Sequence, residues 1–481
     1  MVTREEEPLK EKSEVKKKSF KEKIAYIKEN ITLEPVLAGY VIPGVLSRLA
    51  NQNLNLDKAC RVNLRYGDTV CDALIAKEGT TYQKEELIVQ ELIASMETWK
   101  NLILTAVPSI LILFLGAWSD RTGKRKICIL LPILAITGSW ITTYMGAFSY
   151  ISDISSEETR TFRVGVANLC LTAGGPIGTA LSGILLKYIG YYGVFTISSV
   201  LYICSILHGV FYIKDPERPN QEKKKEDKTL DTWGFLKTFF DIQHVKDTLT
   251  VAFKKGPNNR RMKSILVLAS ITFIYGPAYG EYTVRYLFTR YRFNWDAVKY
   301  SFYSTFYICI HTLGALISIS IFSRKLKWDD SLLGLISNVS KIVGGLATGL
   351  ARNSLEMYLA VAIEMFNATS FTALRSISSK LATSDELGKM TSFFNLMEVV
   401  TSMIFGPAYS WLYMMTLKVD AGVVYYLSTV LTVPPILIFV WFFKEHRKNK
   451  GREKFKETKN DEEHKDRHLS IDLTDSKIFI E

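Results

Sequence analysis

Eleven stretches of the chain are almost wholly apolar: Pro35–Ala50, Trp99–Trp118, Ile127–Ile151, Val164–Lys187, Tyr191–Ile213, Ile265–Phe288, Ser301–Phe322, Leu332–Leu350, Leu355–Ile377, Phe393–Leu417 and Val423–Phe443. Most approach the roughly 20 residues that carry a helix across a hydrocarbon core. They mostly lack the polar face of a soluble amphipathic helix. Several contain Gly and Pro, which membrane helices tolerate because their neighbours satisfy the freed backbone groups. The pattern predicts an all-α polytopic membrane protein with about eleven spans.

The polar segments between the spans set the orientation. Basic residues concentrate in 1–34, at Arg121 to Lys126, in 214–263, at Arg324 to Lys327 and in 444–481. All of these read as cytoplasmic, whereas the more acidic Asn51–Thr98 reads as external. The expected organisation is a charged N-terminal tail (1–34), an N-terminal bundle (35–213), a charged linker (214–263), a six-helix C-terminal bundle (264–443) and a charged C-terminal tail (444–481). This layout contains a conflict of parity. The chain leaves the cytoplasm at Lys126 and returns by Lys214, which needs an even number of crossings, yet three apolar segments lie between. The segment Ile127–Ile151 is then a fusion of the start of one helix with the end of the next, a re-entrant hairpin, or a true single crossing that inverts one half. Twenty-five residues are too few for two full spans. The fusion is the favoured reading, and it leaves the N-terminal bundle one helix short. If Ile127–Ile151 crosses once, Ser152–Arg163 lies outside.

Composition supports the segregation. The 481 residues are 48% hydrophobic and 22% charged, with a formal net charge of +12. A mean hydropathy of +0.09 alongside so many charges argues against a soluble enzyme, a disordered chain and a collagen-like one. Six cysteines are too few for a disulfide scaffold. No P-loop, CxxC or HExxH pattern occurs, so neither an ATP-driven pump, an enzyme, a metal site nor a cofactor is expected. The basic tails alternate with acids. They suit attraction to the inner leaflet of the lipid bilayer rather than nucleic-acid binding.

The loop Gly116-Ala117-Trp118-Ser119-Asp120-Arg121-Thr122-Gly123-Lys124-Arg125-Lys126 resembles the loop between helices 2 and 3 of the major facilitator superfamily. Gly116 lets two helices approach and Gly123 permits a tight turn. Asp120 suits a helix terminus facing a basic group of the neighbouring bundle, and Arg121 and Arg125 fix the loop on the cytoplasmic face. Ser323 to Asp330 is a degenerate echo in the second half, as a duplicated half-transporter would have. Ala173-Gly174-Gly175-Pro176-Ile177-Gly178, followed by Gly183, is similar to the helix 5 signature of the same superfamily. Small residues there allow close packing, and Pro bends the helix.

Four further places look like the proton-coupled folate transporter family, solute carrier family 46: Asp57 to Asn63 with Cys71, Ser119-Asp120-Arg121, Ser152 to Ser156 with Arg160 to Arg163, and Asn294-Trp295. The resemblance covers about residues 35–443. It implies twelve helices with both tails inside, and a block of roughly 40 residues between the equivalents of Leu131 and Tyr144 that this chain lacks. It implies a secondary active transporter of a small organic anion, coupled to protons, working by alternating access in the plasma or lysosomal membrane. The alternative is a truncated isoform or membrane sensor that does not transport. The folate-transporting members carry a Glu early in helix 5 where this chain has Asn168, and a His in helix 7 where it has Ile274 and Tyr275. The substrate is therefore folate-like or another organic anion.

Ionisable residues at membrane depth are costly and so mark candidate substrate or proton pathways. Glu281 and Arg285 are four apart, a favourable order for a helical ion pair. They follow Gly276-Pro277-Ala278-Tyr279-Gly280, a sequence suited to breaking or bending the helix. Lys341 and Glu364 both fall near mid-span and suit a pair. Arg375 matches an Arg that the family uses in anion binding, and Glu398 is placed to carry a proton or line the bundle interface. Arg48 reads as a snorkelling residue, and His208 and His311 as structural. Cys60 and Cys71 share the external loop and are candidates for a disulfide. The sequons at Asn30, Asn338 and Asn367 fall on the inner side or within spans and are expected to stay unmodified.

Overall fold

The computed structural model describes residues 33–77, 82–122, 125–130, 140–155, 157–215, 259–381 and 387–448, with 250, 253, 254, 256 and 451 as isolated positions. The two tails and nearly all of the linker lie outside the described residues. The described elements are helical. They are α1 Glu34–Lys58, α2 Asp68–Ala76, α3 Gln83–Thr122, α4 Arg125–Leu130, α5 Trp140–Ile154, α6 Glu157–Tyr212, α7 Arg260–Phe293, α8 Ala297–Ile317, α9 Asp330–Leu350, α10 Ser354–Ile363, α11 Ala368–Leu381, α12 Leu387–Thr416 and α13 Val423–Leu431.

Among the described residues, six helical stretches are long and apolar enough to cross a membrane. One of them, Cys170–Tyr212, is 43 residues long, about 65 Å of helix, which is enough for two crossings. It turns at Gly190, whose φ of 65° lies in the left-handed region that glycine enters without steric cost. The caps of the second half follow from sequence. Asp296 accepts a hydrogen bond from Lys299 N at the start of α8, and Asp329 accepts one from Ser331 N at the start of α9. Asn353 accepts one from Glu356 N at the start of α10, and Glu356 in return accepts from Arg352 N. Each satisfies an N–H that the first helical turn leaves without a partner.

The segment Ile127–Ile151 differs from a single span. It is divided between α4 and α5, and 131–139 lie outside the described residues. Ile129 and Ile151 pack in one cluster with Leu33 and Ile213, at the inner ends of α1 and α6. Lys126 N donates to Asp215 Oδ1 at 2.8 Å. Both described ends of the segment therefore lie beside the same ends of α1 and α6.

Small residues let the helices approach. Gly174 and Gly178 face Val41, Ile42 and Val45 of α1 closely enough that a Cβ would press on them, which is the structural use of the Gly/Pro signature. Gly276 and Gly280 do the same against the rings of Phe405 and Tyr409 on α12. Of the expected break or bend at this point of α7, the break does not occur. The helix runs unbroken from Arg260 to Phe293 through Pro277, because the glycines serve packing. The break falls instead between α10 and α11, at Glu364 to Asn367. Its freed carbonyls are satisfied from α9. Ser340 Oγ donates to Ile363 O, and Ser337 Oγ lies in hydrogen-bonding reach of the Phe366 and Asn367 carbonyls while accepting from Ser370 N. Irregular backbone at this depth is tolerated only when protein groups satisfy it in this way.

Candidate transport site

The predicted ionisable residues separate into two groups. In the first, Lys341 of α9 donates to both carboxylate oxygens of Glu281 on α7, at 2.8 and 2.7 Å, and to Glu364 Oε1 at 2.8 Å. Asn367 Nδ2 also donates to Glu364. All three charged residues are buried, at 4% exposure or less. Glu364 occupies the helix break, where Gly344 of α9 makes room for its Cβ. Lys341 and Glu364 thus pair as their depth suggested, with Glu281 as the third member.

Arg285 does not pair with Glu281, contrary to the four-residue spacing. Glu281 is taken by Lys341, whose single ammonium reaches two carboxylates. The Arg285 guanidinium lies over the ring of Tyr307, 3.9 Å from its centroid, and Tyr307 in turn packs against His311. The four buried charges sum to zero, with two carboxylates and two cations in one dry neighbourhood.

The second group lies towards the inner end. Arg375 of α11 donates to Glu398 Oε1 of α12 at 2.6 Å and to Asn395 Oδ1 at 2.9 Å. Its guanidinium is flanked by Phe371 and Phe394. The two partners differ sharply in exposure: 47% of the Arg375 side chain is accessible, against 4% for Glu398. One face of this cation is therefore open to a solute.

Of the loop residues, Gly116, Asp120 and Arg121 lie at the inner end of α3 and Arg125 opens α4. The side chains of this set, and Gly123 altogether, fall outside the described residues.

The two bundles meet at their outer ends. Tyr286 of α7 donates to Asn53 Oδ1 of α1 at 2.7 Å. Tyr413 of α12 donates to Gln90 Oε1 of α3 at 2.9 Å. Lys418 pairs with Glu91 at 2.9 Å, and Gly183 of α6 sits against Ala297 and Ser301 of α8. The external loop adds a latch, in which the candidate Cys60–Cys71 disulfide is formed and the ionic contacts are ones the sequence reading did not identify. A Cys60–Cys71 disulfide, with Cα atoms 5.8 Å apart, and Arg61, paired with Asp57, Asp68 and Asp72, hold α2 in place. Arg290 of α7 donates to Leu74 O at 2.6 Å and to Glu86 Oε1 at 2.9 Å, and Lys77 shares the same Glu86 oxygen. Burial and the nearby Arg290 push the Lys77 ammonium down to about 8, against the pull of Glu86. These groups come from α2 with its C-terminal cap, from α3 and from α7, so no local motif announces them. Asn294-Trp295 belongs to the same closure: Asn294 Nδ2 donates to Lys77 O, and the buried Trp295 donates to Ser354 Oγ. These contacts join the two halves at this end of the molecule.

The Arg48 guanidinium lies over the ring of Tyr282 on α7, 4.8 Å from the centroid, a partner that the sequence reading did not assign.

The Major Facilitator Superfamily model matches residues 142–407, more than half of the chain, and the chain belongs to that superfamily. Its relatives are solute carriers of family 46. It is 22% identical over 459 residues to the Drosophila melanogaster protein named "Probable peptidoglycan muropeptide transporter SLC46", covering 87% of this chain and 86% of that one. It is 23% identical to the lysosomal proton-coupled steroid conjugate and bile acid symporter of Gallus gallus (76% and 82% covered), and 21% identical to the proton-coupled folate transporter of Rattus norvegicus (68% and 74% covered). Among solved structures, the human organic anion transporter MFSD10 matches with a TM-score of 0.53 at 13% identity, covering 85% of this chain and 99% of that one. The protein is an integral, multi-pass membrane protein and a secondary transporter of the superfamily, not an enzyme.

Proposed function

We propose that the protein is a proton-coupled symporter of small organic anions, operating by alternating access. The observation that carries this reading is the Arg375–Glu398 pair, with an accessible cation and a buried carboxylate 2.6 Å apart. An anionic solute that takes the open face of Arg375 competes with Glu398 for the guanidinium. A buried carboxylate deprived of its cation is strongly unfavourable, and a proton neutralises it. Anion binding and proton uptake then favour each other, which is the coupling free energy that a symporter needs. The Glu281–Lys341–Glu364–Arg285 group works in the same sense. It is neutral as it stands, so a proton added to one carboxylate leaves a positive charge that an anion compensates.

The names of the relatives, which include a steroid conjugate and bile acid symporter and a folate transporter, support an organic anion. The test is uptake of labelled anions into proteoliposomes with and without an inward proton gradient. Arg375→Ala is expected to raise KM at least tenfold, and Glu398→Gln to remove the stimulation by the gradient while leaving exchange intact. Wild-type uptake by Arg375→Ala, or an unchanged gradient response in Glu398→Gln, sinks the reading.

The loop residue Asp120 is proposed to act in the exchange of states. Asp120→Ala should slow counterflow at equal surface expression, and unchanged counterflow counts against that role. A second reading, a membrane sensor that does not transport, draws on the interrupted segment α4–α5. Absence of uptake of any anion by folded protein favours it.

A further inference from the structure

Resting on that reading, we infer that Arg48 is the anion anchor contributed by the N-terminal bundle, and that it selects organic anions whose acidic group is attached to a flat aromatic or polycyclic body. Arg48 sits about 21 Å above Glu34 along α1, in the last turn of the first apolar stretch and below the Tyr286–Asn53 bond. A charge at that depth faces either lipid, at great cost, or the bundle interior. Its stacking on Tyr282 of α7 settles which: the guanidinium crosses from one bundle to the other. Arg48 is exposed rather than packed into the protein, as a residue projecting into the space between the bundles is. Tyr282 is itself 40% exposed.

The surroundings are aromatic and contain hydroxyls. The phenols of Tyr40, Tyr202, Tyr279 and Tyr300 lie within electrostatic reach of Arg48. They come from α1, α6, α7 and α8, so both bundles contribute. Tyr40 and Tyr202 have ring centroids 6.4 Å apart, and the Tyr202 hydroxyl is brought in over Gly44, where a Cβ would collide with it. Among the described residues, no carboxylate pairs with Arg48. An arginine held by ring faces alone keeps its hydrogen-bond donors available, and a carboxylate or sulfate can accept two of them in parallel. The phenol rings offer stacking surface to a flat body, and their hydroxyls offer further donors to the acidic group. A small aliphatic anion would gain the charge contact but leave the rings uncovered. Binding at Arg48 differs from binding at Arg375 in one respect: the anion replaces or reinforces a contact between the bundles, so occupancy here reports directly to the exchange of states.

The experiment uses full-length protein in proteoliposomes, with estrone 3-sulfate as the aromatic probe and succinate as the aliphatic one. Thermal stabilisation of the detergent-purified protein by each probe provides a readout independent of transport. The wild type is expected to prefer estrone 3-sulfate. Arg48→Gln should raise its KM at least tenfold and abolish its thermal stabilisation. Arg48→Lys, which keeps the charge and loses the planar fork, should recover only part. Tyr282→Leu should weaken estrone 3-sulfate more than succinate. Size-exclusion profiles matching wild type identify variants that fold, and Arg48→Lys and Tyr282→Leu carry the test if Arg48→Gln does not. Unchanged KM and stabilisation in the folded Arg48 variants overturn the inference while leaving the Arg375–Glu398 reading in place. Wild-type uptake by Arg375→Ala overturns that reading alone. A folded wild type that neither transports nor is stabilised by either probe overturns both.

Discussion

The Tyr286 hydroxyl and the Asn53 side-chain oxygen, 2.7 Å apart and fully enclosed, tie α7 to α1 across the bundle interface. Opening to the outside must break this bond. Tyr286→Phe leaves a buried amide oxygen without its donor, a cost of about 1–3 kcal/mol borne only by the closed state. The expected outcome is a five- to hundredfold shift towards the outward-open form. Spin labels at Val62 and Val419, both well exposed at the outer ends, should report a longer distance in the variant. An unchanged distance distribution would show that the bond does not hold the closure.

Lys341 reaches two carboxylates, and its removal leaves both buried without a cation. Lys341→Met should destabilise the protein by roughly 3–5 kcal/mol, read as a lower melting temperature in detergent. Adding Glu281→Gln and Glu364→Gln to that variant should recover most of the loss. Failure of the triple variant to recover would mean that Lys341 acts through packing.

The latch lysine makes the closure depend on pH. Lys77 lies at about 8 in the closed form, against an ordinary value of 10.5. When the latch lifts, Lys77 returns to water and holds its proton more firmly. The open form therefore binds more protons between about pH 8 and 10.5, and the closed form gains stability as pH rises through that window. Below about 8 both forms are protonated and this contribution is flat. The Val62–Val419 distance should shorten from pH 8 to 10 in the wild type and not in Lys77→Met. A shift of equal size in both would assign the effect to other groups.

The topology of the interrupted segment is open to direct test. With Ile129 and Ile151 both at the inner ends of α1 and α6, Asp153 is expected inside. A cysteine introduced there, in a background without other free thiols, should resist an impermeant thiol reagent in intact cells and react after permeabilisation. Reaction in intact cells would restore a single crossing.

Much of this architecture was legible in the sequence for a simple reason: lipid imposes long apolar runs, and the charges between them fix the sides. The Gly/Pro signature of α6 also told its function, because a glycine at Gly174 or Gly178 has little use in a helix except close approach. The same reasoning misplaced the helix break. Gly276 and Gly280 look alike in sequence whether they admit Phe405 and Tyr409 or loosen the chain, and only the partner helix distinguishes the two. The pairing of Glu281 failed likewise, since a four-residue spacing reports only the neighbours within one helix. Lys341, sixty residues away, offered a better match. The Tyr282 partner of Arg48 was hidden for the same reason, because it comes from another helix.

The external loop carries a mechanical consequence. The cross-link from Cys60 to Cys71 and the three carboxylates around Arg61 join the end of α1 to α2, so this region behaves as one plate rather than as a string of separate contacts. Arg290, braced by Glu86 of α3, grips the plate at the Leu74 carbonyl, and Asn294 grips it at the Lys77 carbonyl. Such a plate cannot peel away residue by residue. It lifts whole or stays seated, which gathers the resistance to outward opening into a single cooperative step and gives the transporter one threshold on its outer face.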